Sequence, residues 1–381
     1  MSAKTLSRSG GGKNTAKPAR VVFLDYLRAF APLAVIGIHV CTRSPLSGKD
    51  IPTDYYSWSY VVLVSMTRLC RLAVPVFCMI SGALFLNPRR KFDWKKHFGK
   101  VIPRIILIYV VWSLLYALLV ALTISKSSDE FWVEFISKSL SGCWHLWYLK
   151  LVIAAYLLVP LFRKITESRR LLEYTMKLIV FGLSIVTLGR IFEVIAQRFP
   201  GNLVFDAVRN AMNSSVVNVV GFYLMGFFIY FFVGYYLSSR RFKKKERYLI
   251  YLLGVFGFIM TVVFSVAQTR VGGDYNYGVL NDAYGDIGMF FYASAAFLWV
   301  REVVRRQKTT PRLVAFMAKH SLGVYILHAA PLILICRFYV IPVWHLWSML
   351  IVIPGSVLIV YAASLLLSCL LSKIPLVKKV V

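Results

Sequence analysis

The stretch VVFLDYLRAFAPLAVIGIHV, residues Val21–Val40, decides the fold. About 20 predominantly apolar residues suffice to cross a bilayer as one helix, and this stretch meets that length. Yet it carries Asp25, Arg28 and His39. A lone arginine within a span costs at least about 2.5–3.5 kcal/mol unless it faces a bundle interior or water, so the helix is expected to turn these groups inward. His39 follows Arg28 by eleven positions. At about 100° and 1.5 Å per residue it returns to within roughly 20° of the same face, about 16 Å further along the axis. Asp25, one turn before Arg28, is placed to pair with it. Two readings stand at this point. One is a structural Asp25–Arg28 clamp at one membrane interface with an interfacial histidine at the other; the second is a functional stripe through the membrane.

The rest of the chain has the same character. Hydrophobic residues make up 59% and charged residues only 16% of 381 positions, and the mean hydropathy is +0.67. Soluble domains are about 45–50% apolar and 25% charged. Apolar runs recur from Val21 to Leu371 without a long polar interval, which predicts a single all-α integral membrane domain. The net charge of +29 would fit nucleic-acid binding only as a patch on a polar fold. Here the basic residues sit in short runs between apolar segments, where the positive-inside rule and anionic headgroups account for them, so no nucleic-acid partner is expected. Six cysteines lack metal spacing, and no metal is expected. Cys41, Cys143 and Cys336 fall near the predicted outer face, with nothing to support a bridge between them.

The predicted spans are Val21–Val40, Ser59–Leu86, Val101–Ile124, Leu146–Phe162, Tyr174–Ile195, Val217–Leu237, Tyr248–Val266, Ile287–Val300, Leu313–Val340 and Leu346–Leu371, about ten in all. Alternate connections, from the N-terminal tail to the C-terminal Lys373, Lys378 and Lys379, hold about thirty Lys and Arg; the opposite set holds about seven. Both termini are therefore expected to be cytoplasmic in a multi-pass cell-membrane protein. Residues 1–19 read as a basic disordered tail, residues 20–374 as the membrane domain and residues 375–381 as a short cytoplasmic tail. The first span reads as an anchor, not a cleaved signal, since no small-residue cleavage site follows it. Asp50, Asp54, Asp129, Glu130, Asp206, Asp274, Asp282 and Asp286 fall in the outer connections, where Asp129–Leu140 is expected to form a short interfacial helix.

Further polar residues cluster toward the outer half: Arg68 and Arg71 in the second span, Lys150 in the fourth, Arg190 with Glu193 in the fifth, and His328 in the ninth. Arg190 and Glu193, three apart, are expected to pair with each other. Several spans contributing ionisable groups at similar depth describe a polar cavity. Outer aromatics (Tyr55, Tyr56, Trp58; Trp144, Trp147, Tyr148; Tyr275, Tyr277; Trp344, Trp347) read chiefly as an interfacial belt.

With these residues in place, Phe23-Leu24-Asp25-Tyr26-Leu27-Arg28 followed by His39 resembles the first helix of the membrane acyltransferase-3 family, whose hallmark is an arginine, ten intervening residues and a histidine. Pro75-Val76-Phe77 with Ser81-Gly82 is similar to the family's second-helix signature. His145-Leu146-Trp147-Tyr148-Leu149 resembles its fourth-helix entry, and Ser321-Leu322-Gly323-Val324-Tyr325 with His328 its late-helix motif. The resemblance covers nearly the whole chain and fits the stand-alone type, without an extracytoplasmic hydrolase-like domain. It implies O-acyl transfer, usually acetyl, from cytoplasmic acyl-CoA to a hydroxyl of an envelope glycan or lipid-linked sugar. On that reading Arg28 binds the donor, His39 is the general base, and Asp25, Arg68, Arg71, His145, Tyr148, Glu193 and His328 are supporting or oxyanion candidates. The alternatives are a glycolipid transporter or flippase, against which the absence of an internal repeat counts, a succinyltransferase of the same family, and a non-catalytic assembly factor.

Overall fold

The computed structural model describes residues 21–43, 54–124, 127–199, 201–211, 226–272, 283–338, 346–375 and 377–381. Expectations for the tail through residue 20 and for Asp50, Asp274, Tyr275, Tyr277, Asp282 and Trp344 lie outside the described residues, as does the side chain of Cys336. Every regular element among the described residues is helical: α1 (Val22–Arg43), α2 (Trp58–Cys70), α3 (Ala73–Phe85), α4 (Ile102–Ile124), α5 (Ser128–Ser141), α6 (Trp147–Glu167), α7 (Arg169–Arg198), α8 (Leu203–Ala211), α9 (Ile229–Ser239), α10 (Lys244–Gly272), α11 (Ile287–Val303), α12 (Arg312–Leu327), α13 (Ala329–Phe338) and α14 (Leu346–Leu371).

Local sequence sets the breaks. The hydroxyls of Ser57, Ser127 and Ser168 accept the N–H groups of Tyr60, Glu130 and Leu171, capping α2, α5 and α7. Ser168 is the only residue between α6 and α7, so those helices form a tight hairpin. Gly142, at φ +77°, ends α5 in a conformation that side chains disfavour, and the chain then enters a 3-10 turn at Trp144–Leu146. The segment Asp129–Leu140, expected to be a short helix, lies in α5, with Trp132, Val133, Ile136 and Leu140 exposed along it.

Seven described helices are long and apolar enough to cross a membrane: Val22–Thr42, Trp58–Phe85, Trp94–Leu122, Ser128–Glu167, Arg169–Arg198, Lys244–Val271 and Met349–Leu371. An eighth arises if α12 and α13, bent by 54°, act as one span. Of the about ten expected, Val217–Leu237 lies partly outside the described residues, which hold its second half as α9, and Ile287–Val300 is the 17-residue α11. Both are packed within the bundle. Met289, Phe290, Ala293 and Phe297 of α11 and Tyr230, Phe231 and Val233 of α9 are buried. Gly82 and Gly234 let α3 and α9 meet backbone to backbone: a Cβ on Gly82 would lie 1.9 Å from the Phe231 carbonyl oxygen, and one on Gly234 2.1 Å from that of Met79. Such small-residue contacts are what holds helices together in lipid, where no hydrophobic force favours association.

At the centre, α1 packs against α2, α3, α11, α12 and α14. The periphery presents hydrocarbon outward, as with Leu115 and Leu122 of α4, Val255 and Ile259 of α10 and Ile359 and Leu366 of α14. The basic connections meet one another at one end of the bundle. Arg163 donates to the carbonyls of Phe85, Asn87 and Arg90; Arg247 pairs with Glu302, Arg240 with Glu246, and Arg301 donates to the Leu237 carbonyl. The C-terminal segment returns to this end: Trp112 Nε1 donates to the Val380 carbonyl at 2.7 Å and Arg104 Nε to that of Lys379 at 3.2 Å.

Candidate active site

Three cavities lie in series beside α1. At the basic end, a chamber of about 570 Å³ is lined by Asp25, Arg28, Arg90, Arg104, Lys319 and Ser321, among others. Arg28, Leu84, Ser321 and Leu322 also line the next cavity, a neck of about 250 Å³ walled mostly by Phe77, Ile80, Ile105, Ile108, Leu149 and Val152. Phe77, Tyr148 and Tyr325 line both the neck and a third chamber of about 230 Å³, which holds His39, Thr42, Arg71, Trp144, His145, Trp147 and Tyr284. Arg28 and His39 thus face a common succession of cavities, as their spacing on α1 requires.

Within the basic chamber the Arg28 guanidinium lies 3.6 Å from the Asp25 carboxylate, with side-chain exposures of 32% and 3% respectively. Asp25 also accepts a 2.9 Å bond from the Thr310 hydroxyl. The clamp predicted from sequence therefore exists, but its arginine opens onto a cavity shared with three further cations. Arg163 donates to the Arg90 carbonyl at 2.6 Å, which fixes the backbone that carries Arg90.

In the far chamber the His39 ring meets Trp144 edge-on, with centroids 4.4 Å apart, and lies nearly parallel to His328 at 5.3 Å. His328 in turn contacts His145 at 5.2 Å. These three histidines come from α1, the turn before α6 and the break between α12 and α13. The break explains their order. Where α12 ends, its last carbonyls lie beyond regular intrahelical bonding. His328 Nδ1 lies 2.6 Å from the Tyr325 carbonyl oxygen and His145 Nε2 3.0 Å from that of Ile326, which also accepts from Tyr116. A carbonyl only accepts, so each of these ring nitrogens carries a proton and the tautomer of each neutral ring is set. The Tyr325 hydroxyl donates to the His145 carbonyl and closes the loop.

Arg71 is buried on the same wall with its guanidinium 5.6 Å from the centroid of the Tyr284 ring, and Tyr284 is fixed by a 2.8 Å bond from the Tyr230 hydroxyl to its carbonyl. Arg68 is fully buried behind this wall and lines none of the three cavities. Arg190 pairs with Asp286 at 2.7 Å, correcting the expected Arg190–Glu193 pair. The carboxylate at the start of α11 is buried and fixed across from α7, whereas Glu193 is half-buried on α7 and lines none of the cavities. Lys150 is exposed and donates to the Ser141 carbonyl, outside the polar cluster expected for it. Cys41 and Cys143 are free thiols. Among the described residues no group of three or more His, Cys, Asp or Glu is arranged to hold a metal ion.

The sequence did not single out Arg104, Tyr156 and Tyr284 as wall residues. Arg104 had a signal, a cation just inside a predicted span, but the tyrosines had none because their bundle-facing side is set by packing.

A family model described as an acyltransferase domain, of acyltransferase type 3, matches residues 21–373. No curated protein and no solved structure matches the chain.

Proposed function

The chain belongs to the membrane acyltransferase-3 family and is a multi-pass membrane acyltransferase, and from that premise we propose that it moves an acetyl group from cytoplasmic acetyl-CoA to a hydroxyl of an envelope polysaccharide or lipid-linked sugar across the membrane. The observation that carries this reading is the run of linked cavities from Arg28 to His39. The basic end faces the cytoplasm, in line with the positive-inside rule, and its chamber takes the phosphates of the donor. Arg28 offers planar, bidentate donors to an anion; Arg90, Arg104 and Lys319 add charge. The pantetheine arm of the donor lies in the apolar neck and presents its thioester to the far chamber.

At the far chamber, neutral His39 removes the proton of the acceptor hydroxyl while its oxygen attacks the thioester carbonyl carbon. The carbon–sulfur bond then breaks and the departing CoA sulfur takes the proton back from His39, giving an ester and free CoA. Imidazole suits both steps because its ordinary pKa lies near neutrality. Arg71 and the Tyr148 hydroxyl stand on the same wall as donors to the transient oxyanion. Trp144 and His328 both pack on the His39 ring, and His145 and the α12 terminus hold His328. Trp144 and Trp147 supply ring faces for a sugar.

Purified protein in nanodiscs is expected to consume labelled acetyl-CoA in the presence of extracted envelope glycans. A glycolipid transporter, the rival reading, leaves acetyl-CoA intact. Retention of full acetyl transfer by a well-folded His39→Ala variant would remove the catalytic assignment.

A further inference from the structure

A cavity of about 890 Å³ lies apart from the acyl path, between the start of α2 and the ends of α7 and α10. One face of α10 forms its wall: Val262, Val263, Val266, Ala267, Arg270 and Val271 recur at helical spacing, apolar through the depth of the helix and ending in a guanidinium. Val61 continues the apolar wall, and Gln197 and Arg198 stand at the mouth. The lip is made by Tyr56 and Trp58, exposed at 72% and 79%, and Val263 is 58% exposed, so the cavity opens on the bundle's lipid-facing flank.

The charges are the informative feature. Among the described residues, no carboxylate lines the groove and none forms an ion pair with Arg198 or Arg270. Arg270 is nevertheless positioned: its Nε donates to the Tyr55 carbonyl at 3.0 Å, and its guanidinium lies 4.9 Å from the centre of the Tyr56 ring. Two guanidiniums lining one apolar groove at a membrane boundary make it a place for an anion. The valine wall below them calls for a hydrocarbon chain.

We propose that this groove binds a membrane lipid through an anionic phosphate headgroup, with the phosphate between Arg198 and Arg270 and an acyl chain along the Val262–Val266 face. The proposal does not depend on the acyl-transfer reading, since it concerns binding at a separate site.

The test is titration of the detergent-purified full chain with dioctanoyl-phosphatidylglycerol, with dioctanoylglycerol and glycerol phosphate as the chain-only and headgroup-only probes. Phosphatidylglycerol is expected to bind at least about ten-fold more tightly than either. A basic residue near a membrane surface contributes about 1 kcal/mol toward an anionic lipid, so Arg198→Gln and Arg270→Gln should each weaken binding about five-fold and Arg198→Lys should retain most of it. Val263→Trp, which fills the wall without changing charge, should also weaken binding. Equal binding of dioctanoylglycerol, equal binding of glycerol phosphate, or unchanged lipid affinity in the exposed-site Arg198→Gln variant together with Arg270→Gln would each overturn the proposal.

Discussion

Arg28→Lys keeps the charge at the donor chamber but removes the planar fork, and its effect can be sized from the structure. Asp25 is buried and stays bonded to Thr310, so the carboxylate is not orphaned and the lysine remains in reach of it; the fold should survive. What is lost is one of the two parallel bonds to a donor phosphate. Hydrogen bonds to charged groups are worth about 1.5–3 kcal/mol, and the 32% exposure of the Arg28 side chain puts the loss at the lower end. About 1.4 kcal/mol is ten-fold in affinity. The dissociation constant for CoA, measured by titration calorimetry on purified protein, should therefore rise about ten-fold, with KM for acetyl-CoA following it. The turnover number should change little, since Arg28 lies about 16 Å along the helix from His39. An unchanged CoA affinity, or a fall confined to turnover, would refute the donor assignment.

Three other outcomes are expected. His328→Ala removes the ring stacked on His39 and the bond to the Tyr325 carbonyl; turnover should fall roughly ten-fold while CoA affinity, read by the same titration, stays constant. Arg163→Gln loses charge-assisted bonds to three carbonyls, one of them that of Arg90, so thermal stability should drop by roughly 3 kcal/mol and KM for acetyl-CoA should rise without a matching change in turnover. Gly82→Val drives a side chain into the Phe231 carbonyl and should abolish monodisperse protein on size exclusion, whereas Gly99→Ala, with nothing near its added methyl, should leave it unchanged.

Membrane character was legible because apolar length and the alternation of basic connections are one-dimensional signals. The stripe on α1 was legible because eleven residues nearly close three helical turns. Packing partners were not. Arg190 sits three residues from Glu193, and spacing alone favours that pair, yet the rotation of α7 in the bundle turns Arg190 to Asp286. The apolar content of α9 and α11 answers to burial against glycine-bearing neighbours as much as to lipid, which hydropathy alone does not distinguish. The meeting of His39, His145 and His328 lies between these cases. His39 and His328 stood out as ionisable groups in spans and His145 only through the family resemblance, but their contact depends on where α12 breaks, which no local periodicity marks.

The central claim is that an acyl group crosses the membrane along the face of α1 from Arg28 to His39. It is tested most directly in inside-out membrane vesicles from cells carrying the chain, given radiolabelled acetyl-CoA from outside, so that the donor meets only the cytoplasmic face. The account expects label to accumulate on glycan or lipid-linked sugar enclosed in the lumen, and none above background in vesicles carrying His39→Ala at equal protein level. Equal labelling with the His39→Ala chain, or labelling only when acetyl-CoA is supplied to the luminal face, would contradict it.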